Sequence, residues 1–336
     1  MRLFIDDSLV VKIRNRHDLL TQYRKMNLVA GKSYKIKIEM TNYARHAIAR
    51  FLWAEPNPDK EKQALDAAKK SDAVILFMGL SPTLEGEEMD VPVKGFKGGD
   101  RVSLDIPEIQ ENLLKKIKAL HKPVILVLLN GSALSVNWAA QNADAIVEAW
   151  YPGQAGGTAI ADVLFGDYNP AGRLPVTFYK SANDLPAFDN YSMKGKTYRY
   201  FTGEPLYPFG YGLSYTTFNY SDLKIDQPKI KTNGTAKVSV KVTNTGKADG
   251  EEVVQLYLKT VKSKYPVPIK ALKGFKRITL KAGESKTVEF DISEKILSVY
   301  DGAMSKDVVE AGEYHVMLGG SSADKDLIKG SLMVNE

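Results

Sequence analysis

The chain has 336 residues, 44% of them hydrophobic and 26% charged, with a formal net charge of +6; that length exceeds one ordinary core and suits two or three domains. It contains no cysteine, which excludes disulfides, thiolate catalysis and thiolate metal sites. No apolar run reaches the length of a membrane span and the lysines are dispersed, so neither a membrane nor nucleic acid is expected as a partner. The first fifty or so residues read as short strands. Arg2-Leu3-Phe4-Ile5 leads through the turn Asp6-Asp7-Ser8 to Leu9-Val10-Val11-Lys12-Ile13. Tyr34 to Met40 alternates apolar and polar residues, the pattern of a strand with one wet face, and Ala47 to Trp53 reads the same way. No charged leader followed by an apolar stretch opens the chain, so no secretory signal is expected in it. So small a sheet buries little apolar area, and residues 1–53 are expected to be the end of a β module that begins elsewhere.

A composition shift follows at Glu55-Pro56-Asn57-Pro58. With Asn57 as cap and Pro58 in the first turn, Lys60 to Lys70 is predicted to be a helix. Strands and helices then alternate: a strand at 73–79, a helix at 107–121, a strand at 123–129, a strand at 145–150, and a helix at 156–165 ended by Gly166. Ala73 to Phe77 and Pro123 to Leu129 are nearly continuous apolar runs, as in strands buried on both faces. The alternation predicts an α/β sandwich with a mostly parallel sheet over residues 54–190.

Between the first strand and the next helix lies a glycine-rich loop with Glu85, Glu87, Glu88 and Asp90 inside six residues. Loops at the carboxyl ends of strands are where open α/β sheets place their sites. Crowded, partly buried carboxyls raise one another's pKa, which suits a general acid. A solvated acidic loop is the plain alternative. Gly153, Gly156 and Gly157 have neither dinucleotide nor phosphate-loop spacing and are read as turn and packing residues, so no cofactor is expected. His17, His46, His121 and His315 stand singly, without metal-ligand spacing.

Residues 191–220 are dense in aromatics, including Tyr198, Tyr200, Tyr207, Phe209 and Tyr211. They either pave a sugar site or anchor a linker onto a domain face. From 221 to 336 the pattern is all-β, with alternation over 236–242, 252–258, 287–292 and 312–318, which predicts a β-sandwich without a catalytic constellation. The fold class is therefore multidomain α/β plus β, with a partial β module at the amino terminus.

Several separate stretches also carry a resemblance: GLSPTLEGEEMD, GGDRVSLDIPEIQ, AWYPGQAGGTAIADVLFGDYNPAGRLPVTF, KGKTYRYFTGEPLYPFGYGLSYTTF, VTNTGKADGEEVVQLYL and LKGFKRITLKAGESKTVEFDI. In order and number they resemble the carboxyl-terminal two domains of glycoside hydrolase family 3, the exo-acting β-glucosidases and β-xylosidases. The sandwich is similar to that family's fibronectin type III-like domain. LFIDDSLVV, LVAGKSYKIKIEM and ARFLW resemble the end of a protective-antigen-type sugar-binding module that some members carry inserted.

The resemblance implies a retaining mechanism with two carboxylates. The nucleophilic aspartate of the family sits on a (β/α)8 barrel that precedes these domains and is missing from this chain. The acid/base lies in a Gly-Glu-Gly-aromatic-Asp-Arg type of stretch, which Gly86-Glu87-Glu88-Met89-Asp90 matches with Glu87 as the catalytic residue. Glu88 stands where glycine is common, and an Asp-Arg pair comes only at Asp100-Arg101, so Glu85 and Glu88 remain alternatives. The implied function is hydrolysis of terminal β-linked sugars in plant-type oligosaccharides, β-xyloside ahead of β-glucoside, by a periplasmic or secreted protein. The chain alone is expected to be inactive. The competing reading is a non-catalytic carbohydrate-binding or assembly fragment.

Overall fold

The computed structural model describes residues 1–14, 22–41, 49–54, 59–82, 84–86, 91 and 93–336. At the amino terminus β1 (Arg2–Ile5) lies between β2 (Ser8–Lys12) and β3 (Ile36–Glu39), antiparallel to both. Asp6 and Asp7 both take positive φ, 46° and 63°, as a two-residue hairpin loop of the mirror type requires. The strand predicted from Tyr34 shrinks to four residues, and Ile36 and Ile38 are 49% and 43% exposed, so its alternation marks no dry face. The strand predicted at 47–53 is not formed over Ala49 to Trp53, where Leu52 and Trp53 are exposed, and Ala47 and Ile48 lie outside the described residues. Three short strands offer no layer for those side chains to pack against.

Helix α1 (Lys60–Lys70) has the predicted span, but its cap is Asp59, two residues after Asn57, and the Asp59 carboxylate accepts the Lys62 N–H at 2.9 Å. Asn57 and Pro58 lie outside the described residues. Next come β4 (Val74–Gly79), the two-residue strands β5 (Phe96–Lys97) and β6 (Asp100–Arg101), α2 (Glu108–Lys118), β7 (Val124–Leu129), α3 (Asn137–Asn142), β8 (Ala145–Glu148) and α4 (Gly156–Phe165). The sheet has the order β4-β7-β8 and is parallel throughout. Gly166 ends α4 with φ 85°, the left-handed cap its position announced. Helix α3 was not foreseen; at six residues it is too short to show a period.

One side of the sheet carries a core in which Leu126 and Leu128 of β7 meet Leu114 and Ile117 of α2 and Ala68 of α1. Strand β7 is buried as expected. Strand β4 corrects the expectation of burial on both faces, because Leu76 packs into the core whereas Ile75 and Phe77 are 40% and 56% exposed. It is one of the sheet's two edge strands, and no described element covers its outer face.

After the one-turn helix α5 (Thr197–Tyr200) the chain enters a sandwich of two sheets. Strands β9 (Phe218–Ile225), β10 (Lys229–Lys231), β11 (Ala236–Asn244), β12 (Gly250–Thr260), β13 (Ala271–Leu280), β14 (Ser285–Ile292), β17 (Gly312–Gly319) and β18 (Leu327–Asn335) form it, with α6 (Glu294–Leu297) and a hairpin of β15 (Val299–Asp301) and β16 (Lys306–Val308) at its flank. The sheet orders are β10-β18-β17-β12-β13 and β14-β11-β9. The period-two reading of β11 holds: Val238, Val240 and Val242 are buried against Leu256, Val316 and Leu318, while Lys237 and Lys241 face water.

The aromatic segment docks onto this sandwich. Tyr198 stacks on Phe209 at 4.3 Å, meets Tyr257 edge-on at 5.9 Å, and its hydroxyl accepts the Leu272 N–H. Of the two readings of these aromatics, the linker anchor describes Tyr198 and Phe209. Nearby, Arg173 Nη2 pairs with Glu252 Oε2 at 2.6 Å, with side chains only 8% and 4% exposed, and the Tyr220 hydroxyl donates to Glu252 Oε1 at 2.8 Å. A charge left alone at such a depth costs far more than the pair gains. Denaturant unfolding of Glu252→Ala is therefore expected to show a loss of ~3–5 kcal/mol; a loss under ~1 kcal/mol would mean the pair behaves as a surface bridge.

Candidate active site

Strand β4 ends where its neighbour leaves no room. A Cβ at Gly79 would lie 2.2 Å from the Leu129 carbonyl oxygen, and its φ of 127° belongs to glycine. From α2 the Gln110 amide holds the same residue at both ends: Oε1 accepts the Gly79 N–H at 2.8 Å and Nε2 donates to its carbonyl at 2.9 Å. The acidic loop thus leaves the sheet from a fixed point. Its first turn closes when the Leu84 and Glu85 N–H groups donate to the Ser81 carbonyl, and Leu84 packs on the core.

Glu85 then ties three loops together. Its Oε2 accepts the Tyr151 hydroxyl at 2.5 Å, and its Oε1 accepts the Ser132 hydroxyl at 3.4 Å. Glu85 follows β4, Ser132 follows β7 and Tyr151 follows β8, so the carboxyl ends of all three parallel strands converge. Gly131 permits this approach, since a Cβ there would meet the Tyr151 ring at 2.9 Å. Arg101 closes the cluster: Nη1 donates to Ser132 Oγ at 2.7 Å and to the Ala133 carbonyl at 3.0 Å, and Nε to the Ser103 carbonyl. Burial pulls the guanidinium's pKa down and the charge of Glu85 opposes that pull. Its Nη2 is buried with no hydrogen-bond partner among the described residues. Burial first, then the bond to Glu85, pushes the Tyr151 phenol up, so Tyr151 stays a donor.

Behind the cluster sits a second acid. Glu148, the last residue of β8, accepts the Trp150 N–H at 3.1 Å and Asn130 Nδ2 at 3.3 Å. Burial drives its pKa from 4.5 to about 7, against the lowering effect of those two bonds. Asn130 Oδ1 is buried without a donor among the described residues. Trp150 has φ 54°, an unusual backbone for so bulky a residue.

Of the acids named from sequence, Glu85 is at the root of this cluster, whereas Glu87, Glu88 and Asp90 lie outside the described residues. Sequence reasoning did not assign Arg101, Ser132, Tyr151 or Glu148. Asp100-Arg101 was a visible signal and Tyr151 lay in a quoted stretch, but Glu148 reads as an ordinary strand end. No described group of His, Asp or Glu has the makings of a metal site, and no described helix is long and apolar enough to cross a membrane.

Comparison with known proteins places this geometry in a family. The glycosyl hydrolase family 3 C-terminal domain matches residues 8–215, and a fibronectin type III-like domain matches residues 252–322. The chain belongs to glycosyl hydrolase family 3. It is similar to a xylan 1,4-beta-xylosidase of Xylanibacter ruminicola, 46% identical over 80% of this chain and 31% of that protein. It is also similar to a periplasmic beta-glucosidase of Salmonella typhimurium, 42% identical over 78% of this chain and 34% of that protein. A beta-glucosidase of Kluyveromyces marxianus superposes with a TM-score of 0.80 at 30% identity, over 100% of this chain and 42% of its own. The chain thus spans about a third of the length of the curated relatives it matches.

The buried acid gives a pH prediction. Glu148 has a folded pKa of about 7 against 4.5 when solvated, so the folded chain holds an extra proton between those values. Stability is then fullest below about pH 4.5 and is lost as pH rises through about 7. Relative to the parent, Glu148→Gln is expected to gain on the order of 3 kcal/mol between about pH 4 and about pH 8, read by denaturant unfolding. A difference that does not change with pH would show that folding leaves the pKa of Glu148 where it is in the unfolded chain.

Proposed function

We propose that this chain is the carboxyl-terminal part of a retaining exo-β-glycosidase and supplies its general acid/base, Glu87. The observation that carries the reading is the convergence of three loops at the carboxyl ends of β4, β7 and β8, joined through Glu85, Ser132 and Tyr151. A general acid must be held steady beside a leaving oxygen, and a loop clamped at its root meets that need. Both oxygens of Glu85 are engaged in the clamp, so we assign it to holding the loop and leave proton transfer to Glu87.

The nucleophile is assigned to an aspartate on a (β/α)8 barrel outside this chain. Two features support this. The chain spans about a third of its relatives' length, and the exposed Ile75 and Phe77 give a parallel sheet an uncovered apolar face, which such sheets seldom keep. In this reading residues 1–53 are the end of a protective-antigen-type module, 54–190 carry the acid/base loop, 191–220 form the linker and 221–336 the fibronectin type III-like domain. The substrate is a β-linked xyloside or glucoside of plant-type oligosaccharides, and the setting is periplasmic or secreted, by analogy with the names of the relatives.

The mechanism follows from the two carboxylates. The acid protonates the glycosidic oxygen as the aspartate attacks the anomeric carbon, and the resulting carboxylate then takes a proton from the water that releases the sugar. The chain alone is expected to leave aryl β-xylosides and β-glucosides intact. In the chain joined to a family 3 barrel, Glu87→Ala is expected to lose ~10²–10⁴-fold on xylo-oligosaccharides and much less in the first step on nitrophenyl glycosides, whose leaving group needs no proton. Azide should restore turnover by attacking the intermediate without a base. Glu85→Ala should lower activity without azide rescue. Rescue of Glu85→Ala alone would exchange the two roles, and hydrolysis by the isolated chain would place the nucleophile within it.

A further inference from the structure

A cavity of about 280 Å³ opens at the flank of the sandwich, between α5, the segment 265–268, strand β13 and the β15–β16 hairpin. Two cations line it, Arg199 and Lys273. Among the described residues neither side chain makes an ion pair or a hydrogen bond, and Arg199 lies over the Tyr200 ring at 5.8 Å. Burial and the neighbouring Arg199 push the Lys273 ammonium's pKa down, and Asp307 offsets this only in part. Of the nearby carboxylates, Asp307 acts on Lys273 without pairing with it, and the other two are already committed. Asp301 accepts the Tyr265 hydroxyl and the Ala303 and Met304 N–H groups, and Glu310 accepts the Ser263 hydroxyl and the Lys264 N–H.

The half-buried Lys273 beside the exposed Arg199, offset only in part by Asp307, is unfavourable, and an incoming anion relieves it. The remaining walls include Tyr200, Tyr265, Tyr300 and Tyr314, of which Tyr300 is 64% exposed. Aromatic bodies of this kind offer flat apolar surface with polar tips. The volume falls just below the ~300–1,000 Å³ of drug-sized pockets, so it suits one ring. We propose that this cavity binds the ring of an acidic sugar, a uronic acid, with Lys273 and Arg199 taking the carboxylate and the tyrosines flanking the ring. The site is independent of the acid–base reading, since it uses none of the same residues.

Calorimetric titration of the 336-residue chain at low salt with D-glucuronate, D-glucose and acetate tests this. Glucuronate is expected to bind, more weakly as salt is added. Lys273→Gln should weaken that binding by about tenfold or more, as loss of a charge-assisted hydrogen bond does; Lys273→Arg should keep most of it. Without ligand, Lys273→Met should melt above the parent, because it removes one of two facing charges. No heat with glucuronate would overturn the proposal. So would glucose binding equally well without salt dependence, or acetate binding as tightly as glucuronate. A lower melting temperature for Lys273→Met would also overturn it, by making Lys273 a structural residue.

Discussion

The buried pair of Arg173 and Glu252 is the interaction on which the relation between the two halves of this chain depends. Each charge taken out of water costs several kcal/mol, and only its partner at 2.6 Å offsets that cost. Arg173 lies in the turn-rich stretch after α4, and Glu252 lies on β12 inside the five-stranded sheet. Satisfying both charges therefore fixes the α/β layer against the sandwich. Around the pair the contacts are polar and directional: Asn169 Nδ2 donates to the Asp249 carbonyl, and Asn169 Oδ1 accepts the Ser214 hydroxyl and the Tyr215 N–H. Gln255 Nε2 donates to the carbonyls of Gly210 and Gly320. Such a joint specifies one arrangement, whereas an apolar one would tolerate sliding.

Within the α/β layer the same logic fixes the loops. Gly79 sets the point at which the chain leaves the sheet, because only a residue without a side chain fits against the Leu129 carbonyl. Glu85 then draws on a hydroxyl from each of the next two strand ends, and Arg101 fastens one of those loops to the segment before α2. Glu148 adds a buried acid that burial holds near half-protonation at neutral pH, under a left-handed Trp150. The strain and the Arg101 Nη2, unpaired among the described residues, gather where the three loops meet, which is where folds store such features for function.

Much of this was legible in the residues. The alternation of β11, the apolar run of β7 and the helix before Gly166 follow from local pattern and appear as predicted, and of the four acids between β4 and α2 the structure describes Glu85. Apart from the short α3, the misses depend on what lies across from a segment. Ile75 and Phe77 belong to an apolar run that looks buried, yet no described element covers them. Ala49 to Trp53 has strand composition without a partner to pair with among the described residues. Tyr151 and Arg101 join Glu85 only through folding, 66 residues apart in the case of Tyr151, and no local pattern records that distance. The pKa of Glu148 is likewise a property of its surroundings.

The central claim is that the loop rooted at Glu85 presents Glu87 to the glycosidic oxygen. A β-xylosylamine bearing a bromoacetyl group in place of the leaving group carries an electrophile to the acid/base position and alkylates the carboxylate it finds there. With the chain joined to a family 3 barrel, peptide mapping by mass spectrometry should place a single adduct on Glu87, and free xylose should protect against it. An adduct on Glu85 or Glu88, or labelling that xylose does not slow, would contradict the account.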